Sequence, residues 1–404
     1  MRRVAGALAV SALLLTGLLA ACSPETQTEG GTSTPAAEEN SVPTPGVEAA
    51  LEFLREREAY MPQFAGGSDG SLYVVWRESG SGRGGNLFVA RRADSGAFGP
   101  PVRINDVAGS VAGSSLDEDR PAVAVGAGGR IAVAWTSNGF GMRAAVSNDG
   151  GDSFAPSVAL NSDDGVVAYR GFVDIALDSS GVAHAAWIDG RDAPRGAEEP
   201  ADLYYARISG GEVTEVNLTE DQTDSICGCC RVDIDVRSDD RLVIAFRNTG
   251  GGYRDIHRIE AGGDGTFGSP ARLGPPMWEI IGCPVMGPLN VEESTLWLEA
   301  STGKRRLLAA TATDGSYQVV MEDADEWALE RPPRLVIGPT GSGPMILLPG
   351  RPSGRILRGS GVTWSLAFED LPRWAMSAAL IDETLVLLGD VNGDVLVETR
   401  PTGF

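Results

Sequence analysis

The residues best suited to chemistry in this chain are four cysteines. Cys227, Cys229 and Cys230 lie within one four-residue segment, and Cys283 precedes a proline further along the chain. Thiols so close together can form disulfides or hold a soft metal such as Cu(I). We expect either a bridge from the segment to Cys283, which leaves a strained pair among the other two, or a thiolate metal or redox site. The even number favours structural disulfides.

Arginines form the second group of candidate residues. Each lies near the beginning or end of a predicted inner strand, and the five are Arg77, Arg120, Arg170, Arg231 and Arg247. In a chain with a formal net charge of −22, a cluster of guanidinium groups would favour a carboxylate, sulfate or phosphate ligand. The alternative is that they form structural ion pairs with nearby aspartates.

The elements that must position these residues repeat about once per 55 residues, a spacing typical of stacked supersecondary units. Each repeat has a short apolar strand that ends in a large aromatic residue, namely Trp76, Trp135, Trp187, Phe246 and Trp297. Gly, Asp, Ser and Pro separate the strands, and no long helical periodicity follows residue 60. The pattern predicts an all-β fold, a six-bladed β-propeller beginning at about residue 61, although seven blades are possible.

One loop carries a recognisable turn motif. Ser147, Asp149, Gly151 and Phe154 fit the pattern Ser-x-Asp-x-Gly-x-Ser/Thr-Trp/Phe, in which carboxylate and hydroxyl groups bind turn amides. The motif resembles the Asp-box, or bacterial neuraminidase repeat, of sialidase-like propellers. That resemblance implies a loop between the third and fourth strands of a blade. It implies little about activity, because the Asp-box is a folding device.

A second resemblance involves the cysteine segment. Cys-x-Cys-Cys-Arg (227–231), Phe-Arg-Asn (246–248) and Gly-Cys-Pro-x-x-Gly-Pro (282–288) are similar to motifs in a subgroup of bacterial sialidase-like exported proteins. Members often have His-His where this chain has Val285 and Met286. The Arg-Ile-Pro segment typical of sialidases is not found in this sequence, so the resemblance supports the fold more than it supports a catalytic activity.

The beginning of the chain predicts export. Residues 1–21 have two arginines and then an apolar run, as in a signal peptide, and Leu19-Ala20-Ala21-Cys22 resembles the bacterial lipobox. Acylation of Cys22 would place the protein in the cell envelope, anchored to the outer membrane or cell surface. Residues 22–45 are predicted to be a disordered linker, and residues 46–404 the propeller domain, with a short helix over 47–60.

These observations favour a ligand-binding protein. The acidic charge argues against nucleic acid as a partner, and with only two histidines a Ser-His-Asp triad is not expected. We expect the central channel to bind a ligand, such as an anionic glycan, or an envelope protein. The alternatives are an exo-acting glycoside hydrolase of the sialidase type, for which the sequence identifies no catalytic residues, and a copper or redox site at the cysteines.

Overall fold

Antiparallel strands make up nearly all of the structure, a computed structural model that describes residues 46–402 except 81–83, 115, 117, 140, 164–167, 193–200, 223–224, 263–264, 281–283 and 325–326. The predicted signal peptide, Cys22, the predicted linker and Cys283 lie outside the described residues. No helix among the described residues has the length and apolar composition needed to span a bilayer.

Five antiparallel meanders follow one another along the chain. The first contains β1 (Ala59–Gly66), β2 (Leu72–Ser79), β3 (Gly84–Arg91), β4 (Val102–Arg103) and β5 (Val111–Ala112), which pairs with β3. The second contains β6 (Ala122–Val125), β7 (Ile131–Thr136), β8 (Met142–Ser147) and β9 (Val158–Ala159). The third contains β10 (Arg170–Leu177), β11 (Ala183–Asp189), β12 (Asp202–Ser209) and β13 (Glu212–Asn217). The fourth contains β14 (Asp233–Val236), β15 (Leu242–Arg247), β16 (Ile256–Glu260) and β17 (Ala271–Arg272). The fifth contains β18 (Leu289–Val291), β19 (Ser294–Glu299), β20 (Arg306–Ala310) and β21 (Gln318–Glu322).

The last part of the chain forms a wider sheet. A small ladder joins β22 (Ala328–Leu329) to β25 (Gly350–Arg351). A sixth meander contains β23 (Arg334–Ile337), β24 (Met345–Leu348), β26 (Gly354–Ser360) and β27 (Thr363–Leu371). A seventh contains β28 (Ser377–Ile381), β29 (Thr384–Val391) and β30 (Asp394–Pro401). Parallel pairing of β23 with β28 joins the two into one seven-stranded sheet.

The seven meanders, numbered blades 1 to 7 in chain order, close into a ring. Seven hydrophobic core clusters lie between successive blades, and one of them joins blade 7 back to blade 1. One central cavity is lined by residues from the first strand of every blade. This is the architecture of a β-propeller. Seven meanders replace the expected six because blades 6 and 7 are much shorter than the repeat of about 55 residues.

The repeated aromatic residues lie where the repeat predicts them. Trp76, Trp135, Trp187, Phe246 and Trp297 occupy the second strands of blades 1 to 5, and each is at most 2% exposed. A sheet has two apolar faces that a single blade cannot bury alone, so these large side chains fill the spaces between neighbouring blades. Burial between blades therefore holds the ring that surrounds the cavity.

The predicted helix is shorter than 47–60. It is present as α1 (Val47–Ala50) and α2 (Phe53–Glu56), and Leu51 and Leu54 are fully buried against blades 1 and 7. The helix ends early because Tyr60 already pairs with Arg77 in the β1–β2 ladder. Two further helical turns, of the 3₁₀ type, are Ala127–Gly129 and Gly250–Gly252.

Candidate functional site

The central cavity is the site to which all seven blades contribute. Its volume is about 380 Å³. Charged and amide side chains reach it from the beginnings of the inner strands, and aliphatic side chains from further along the same strands, such as Val125, Leu177 and Val236. The cavity therefore combines polar groups with an apolar wall, as small-molecule sites do.

Three aspartates join successive inner strands. Asp119 accepts a hydrogen bond from the main-chain N–H of Phe172 at 2.9 Å. Asp174 accepts from Ile234 N at 3.0 Å, and Asp233 accepts from Asn290 N at 2.8 Å. Asp119 precedes blade 2, Asp174 and Asp233 belong to blades 3 and 4, and each N–H comes from the blade that follows, so the bonds connect the beginning of blade 2 to blade 3, blade 3 to 4 and blade 4 to 5. These contacts give the three aspartates a structural role in the ring.

Arg231 and Arg334 reach between blades that are not neighbours. Arg231 pairs with Asp174 at 3.0 Å, and its Nη1 donates to the main-chain oxygens of Glu118 at 3.2 Å and Arg120 at 3.0 Å. Arg334 of blade 6 pairs with Glu118, which precedes blade 2, at 2.8 Å. These two guanidinium groups are therefore already paired with carboxylates of the cavity wall.

Burial changes the protonation of charged groups in the cavity wall and of Asp119 next to it in the chain. It raises the pKa of Asp233 well above its ordinary value, and the nearby Asp174 carboxylate raises it further. Burial also raises the pKa of Asp119 and of Asp235 and lowers the pKa of Arg334. The interior therefore penalises the charged forms of these groups, and at Arg334 it does so despite the contact with Glu118.

Of the five predicted arginines, Arg120 and Arg231 line the cavity. The other three bind within or between blades. Arg77 stacks 5.9 Å from the ring centroid of Tyr60, and burial lowers its pKa. Arg247 is 1% exposed, and its Nε and Nη2 both donate to the carbonyl oxygen of Met286, at 3.0 and 2.8 Å. The five side chains thus serve separate contacts.

Arg170, the remaining predicted arginine, belongs to an ionic network at the edge of blade 3. Its Nε donates to Asp189 at 2.8 Å, and it also pairs with Asp163. Arg191 pairs with Asp189 and Glu215, both at 2.6 Å, and lies 4.1 Å from the ring centroid of Tyr204. The network therefore joins the ends of β10 and β11 to β13.

The Asp-box loop joins β8 to β9, the third and fourth strands of blade 2. Asp149 accepts hydrogen bonds from Ser147 Oγ at 2.7 Å, Ser153 N at 3.0 Å and Ser153 Oγ at 2.5 Å. The hydrogen bonds from Ser153 contribute most to lowering the pKa of Asp149 to about 2. Gly151 has a φ of 90°, which its lack of a side chain permits. Phe154 packs against the core between blades 1 and 2.

The three described cysteines form a sulfur cluster beside the beginning of β14. Cys227 Sγ lies 3.4 Å from Cys229 Sγ and 3.4 Å from Cys230 Sγ. Cys227 and Cys230 are free thiols, whereas Cys229 is engaged in a disulfide. Hydrogen bonding with Cys230 is the main cause that lowers the pKa of Cys227 to about 7, while burial raises that of Cys230. Three sulfurs within 4.8 Å of one another could also hold a metal ion.

The sequence reasoning missed several cavity residues. Glu118, Asp235, Asn290 and Arg334 line the cavity but were not candidates for the site. The alternation Asp233-Ile234-Asp235 places both carboxylates on the same face of β14, and this was the available signal.

No protein-family model matches the chain, and no curated protein matches its sequence. Among solved structures, the fold is similar to a puromycin hydrolase mutant, with 15% identity, a TM-score of 0.50, and coverage of 89% of this chain and 55% of that one. A GH74 enzyme from Niastella koreensis is 14% identical, with a TM-score of 0.48 and coverage of 84% and 42%. A sialidase from Trypanosoma rangeli is 12% identical, with a TM-score of 0.44 and coverage of 76% and 57%. The chain spans about half the length of these structures. At such identities the likeness concerns the fold alone.

Proposed function

We propose that this propeller binds a small neutral polyhydroxylated ligand, such as a short saccharide, in its central cavity and does so without hydrolysing it. The observation that carries the proposal is the single cavity of about 380 Å³ shared by the first strands of all seven blades. That volume falls within the range of about 300–1,000 Å³ that is usual for small-molecule sites.

The charges of the cavity support a neutral ligand over an anion. Among the described residues, four carboxylates and three guanidinium groups line it. Arg231 and Arg334 are paired with Asp174 and Glu118, so they add little positive potential for a ligand. Two of the three guanidinium groups are therefore not available to pair with an anionic glycan, which the sequence favours.

Asp235 is the carboxylate best placed to contact such a ligand. Its side chain is 36% exposed, compared with 18% for Asp174 and 9% for Glu118. Arg237 Nη1 and Val236 N donate to its two oxygens at 3.0 and 2.9 Å, and each oxygen can accept a further hydrogen bond. Carboxylates accept strong hydrogen bonds from hydroxyl groups. Asp174 and Asp233 already bind main-chain N–H groups, which argues against their use as a catalytic acid and nucleophile.

The test is a calorimetric titration of the purified protein with panels of neutral and acidic oligosaccharides. We expect a neutral sugar to bind, and Asp235→Asn to weaken that binding at least about tenfold by the loss of a charged hydrogen bond. The matched control is Asp239→Asn, because that carboxylate lies on an exposed turn outside the cavity. Stronger binding of acidic than of neutral sugars would contradict the proposal, and so would release of reducing sugar.

A second candidate function is Cu(I) binding by the sulfur cluster. The three sulfurs lie within 4.8 Å of one another, and thiolates are preferred ligands of Cu(I). Because Cys229 is in a disulfide, the site would require prior reduction. We expect the reduced protein to retain one copper per chain after gel filtration, and Cys230→Ser to lose it; absence of copper from the reduced protein would exclude this function.

We further propose that the chain is held at the cell envelope by acylation of Cys22. The support is the lipobox-like sequence that ends the apolar run. Expression in a bacterial host with a radiolabelled fatty acid should label the wild type and leave Cys22→Ala unlabelled. Equal labelling of both proteins would contradict the proposal.

A further inference from the structure

Aliphatic side chains line one part of the central cavity and are only partly buried there. The inner strands of blades 2, 3, 4 and 6 each end in such a residue, namely Val125, Leu177, Val236 and Ile337. Leu335, on the inner strand of blade 6, also lines the cavity and is 46% exposed. We call these five side chains the apolar wall. Their exposed surface can still be buried by an apolar group of a ligand, which is favourable.

Contacts between blades 1 and 2 show that their inner strands run in the same direction. Gln63 Nε2 donates to the carbonyl oxygen of Pro121 at 2.8 Å. Four residues further along both segments, a Cβ atom on Gly67 would lie 3.0 Å from Val125 Cγ1. The two segments therefore stay side by side from their polar beginnings to their aliphatic ends.

Blades 2 and 3 are aligned in the same way. The main-chain N–H of Phe172 donates to Asp119 at 2.9 Å, before the beginning of β6. At the other end, a Cβ atom on Gly126 would lie 3.2 Å from Leu177 Cδ1. The polar groups at the beginnings of these strands thus lie together at one end of the cavity, and the apolar wall lies towards the other.

The distance between the two ends limits what kind of ligand can contact both. Asp174 and Leu177 are three residues apart on β10, and Asp233 and Val236 are three residues apart on β14. At the rise of a β-strand this separation is about 10 Å, which is longer than one sugar ring. A second sugar ring would place hydroxyl groups against side chains that cannot form hydrogen bonds, which is unfavourable. A hydrocarbon group would gain about fourfold in affinity for each methylene that it buries.

We propose that the ligand of the cavity is a glycoside whose sugar binds at the polar end and whose alkyl or aryl aglycone packs on the apolar wall. The proposal rests on the proposed function, since it specifies the class of saccharide that the cavity takes. Leu335 is the main contact of the aglycone, because its own blade leaves it half-exposed.

The test compares ligands that differ only in the aglycone. Methyl and octyl β-glycosides of glucose, galactose and mannose are titrated into the purified protein by calorimetry, below the concentrations at which micelles form. Octanol supplies the chain without the sugar, and the corresponding disaccharides supply a second ring. We expect the octyl glycoside of a sugar that binds to bind at least about tenfold more tightly than its methyl glycoside, since two buried methylenes give that factor. Octanol and the disaccharides should bind more weakly than the octyl glycoside.

A matched pair of variants assigns the gain to the apolar wall. Leu335→Ser should reduce the ratio of octyl to methyl affinity severalfold and leave the methyl affinity unchanged. Leu366→Ser is the control, because Leu366 is 48% exposed in the same blade but lies on its outermost strand, outside the cavity. Both leucines are largely exposed, so we expect both variants to fold, and equal melting temperatures would confirm this.

The possible results separate this proposal from the proposed function. Equal affinities for methyl and octyl glycosides, tighter binding of a disaccharide, or equal effects of Leu335→Ser and Leu366→Ser would overturn the role of the aglycone while saccharide binding stands. Octanol that binds as tightly as the octyl glycosides, with no binding of methyl glycosides or disaccharides, would overturn both proposals, and so would the absence of any binding.

Discussion

The ion pair between Glu118 and Arg334 offers a quantitative test of how the ring is held together. Glu118 is 7% exposed and Arg334 is 5% exposed, and their nearest oxygen and nitrogen lie 2.8 Å apart. Glu118→Gln leaves the guanidinium group buried without an opposite charge. Removal of one partner of a buried ion pair costs about 3–5 kcal/mol.

That cost converts into a measurable shift of the melting temperature. With an unfolding entropy of about 2.1 cal/mol/K per residue, a folded unit of about 360 residues should lose about 4–7 °C in Tm. Scanning calorimetry of Glu118→Gln and of the wild type measures the shift. The double variant Glu118→Gln with Arg334→Met is the control, because it removes the stranded charge as well as its partner.

We expect the double variant to recover most of the lost stability. Replacement of a whole buried ion pair by uncharged groups is often neutral or stabilising. Two results would contradict this reasoning: a loss of less than about 1 °C in the Tm of Glu118→Gln, or a double variant that melts no higher than the single one. Either would show that Glu118 does not compensate the buried charge of Arg334 as we expect.

The remaining predictions concern titratable side chains. Asp233→Asn should keep the hydrogen bond from Asn290 N and leave Tm unchanged or higher, most of all at alkaline pH. The reason is that the pKa of Asp233 is raised, so the wild type loses stability as the pH rises through that pKa. Thermal melts at several pH values measure this, and a large loss of Tm at every pH would contradict it. Asp149→Ala should lower Tm at neutral pH and lower it less at pH 2, since a pKa lowered from 3.8 to about 2 gives stability that is lost as the pH falls through that interval. Asp152→Ala is the control, and equal effects of the two substitutions would refute the assignment. Burial lowers the pKa of His257 from 6.5 to about 4. The unfolded chain therefore takes up a proton that the folded chain does not, and the stability of the fold falls as the pH is lowered from 6.5 to about 4. His257→Gln should reduce that fall in urea denaturation curves, and an unchanged slope would show that other groups cause it.

The all-β class and the strand order of the first five blades could be predicted from the sequence, because Trp76, Trp135, Trp187 and Phe246 recur at nearly constant spacing. Blades 6 and 7 lack such residues at the ends of β24 and β29, so the repeat alone predicted six blades. Dividing the length of the chain by the repeat period gives too few blades when the last blades are shorter than the others. The helix boundary was missed because strand pairing by Tyr60 prevails over helical periodicity.

The site was harder to predict than the fold. The sequence identifies Arg231 as a cavity residue, but it cannot show that Asp174 already pairs with it. Whether an arginine binds a ligand or a neighbouring carboxylate depends on distances across the ring, which separate segments of the chain set together. The close approach of Cys227, Cys229 and Cys230, by contrast, is local and follows from their positions in one turn.

The parallel pairing of β23 with β28 has a mechanical consequence. Val336 pairs with Ala378, and Ile337 with Ala379, so the last two blades share a main-chain ladder, whereas blades 1 and 2 are joined by an isolated bridge between Val111 and Ser137. Main-chain ladders resist sliding and hinging more than side-chain contacts do, so this double-width segment should behave as one stiff body. Local opening of the ring should then occur at the interfaces between the other blades. Amide hydrogen exchange of residues 334–401 should proceed as one cooperative unit.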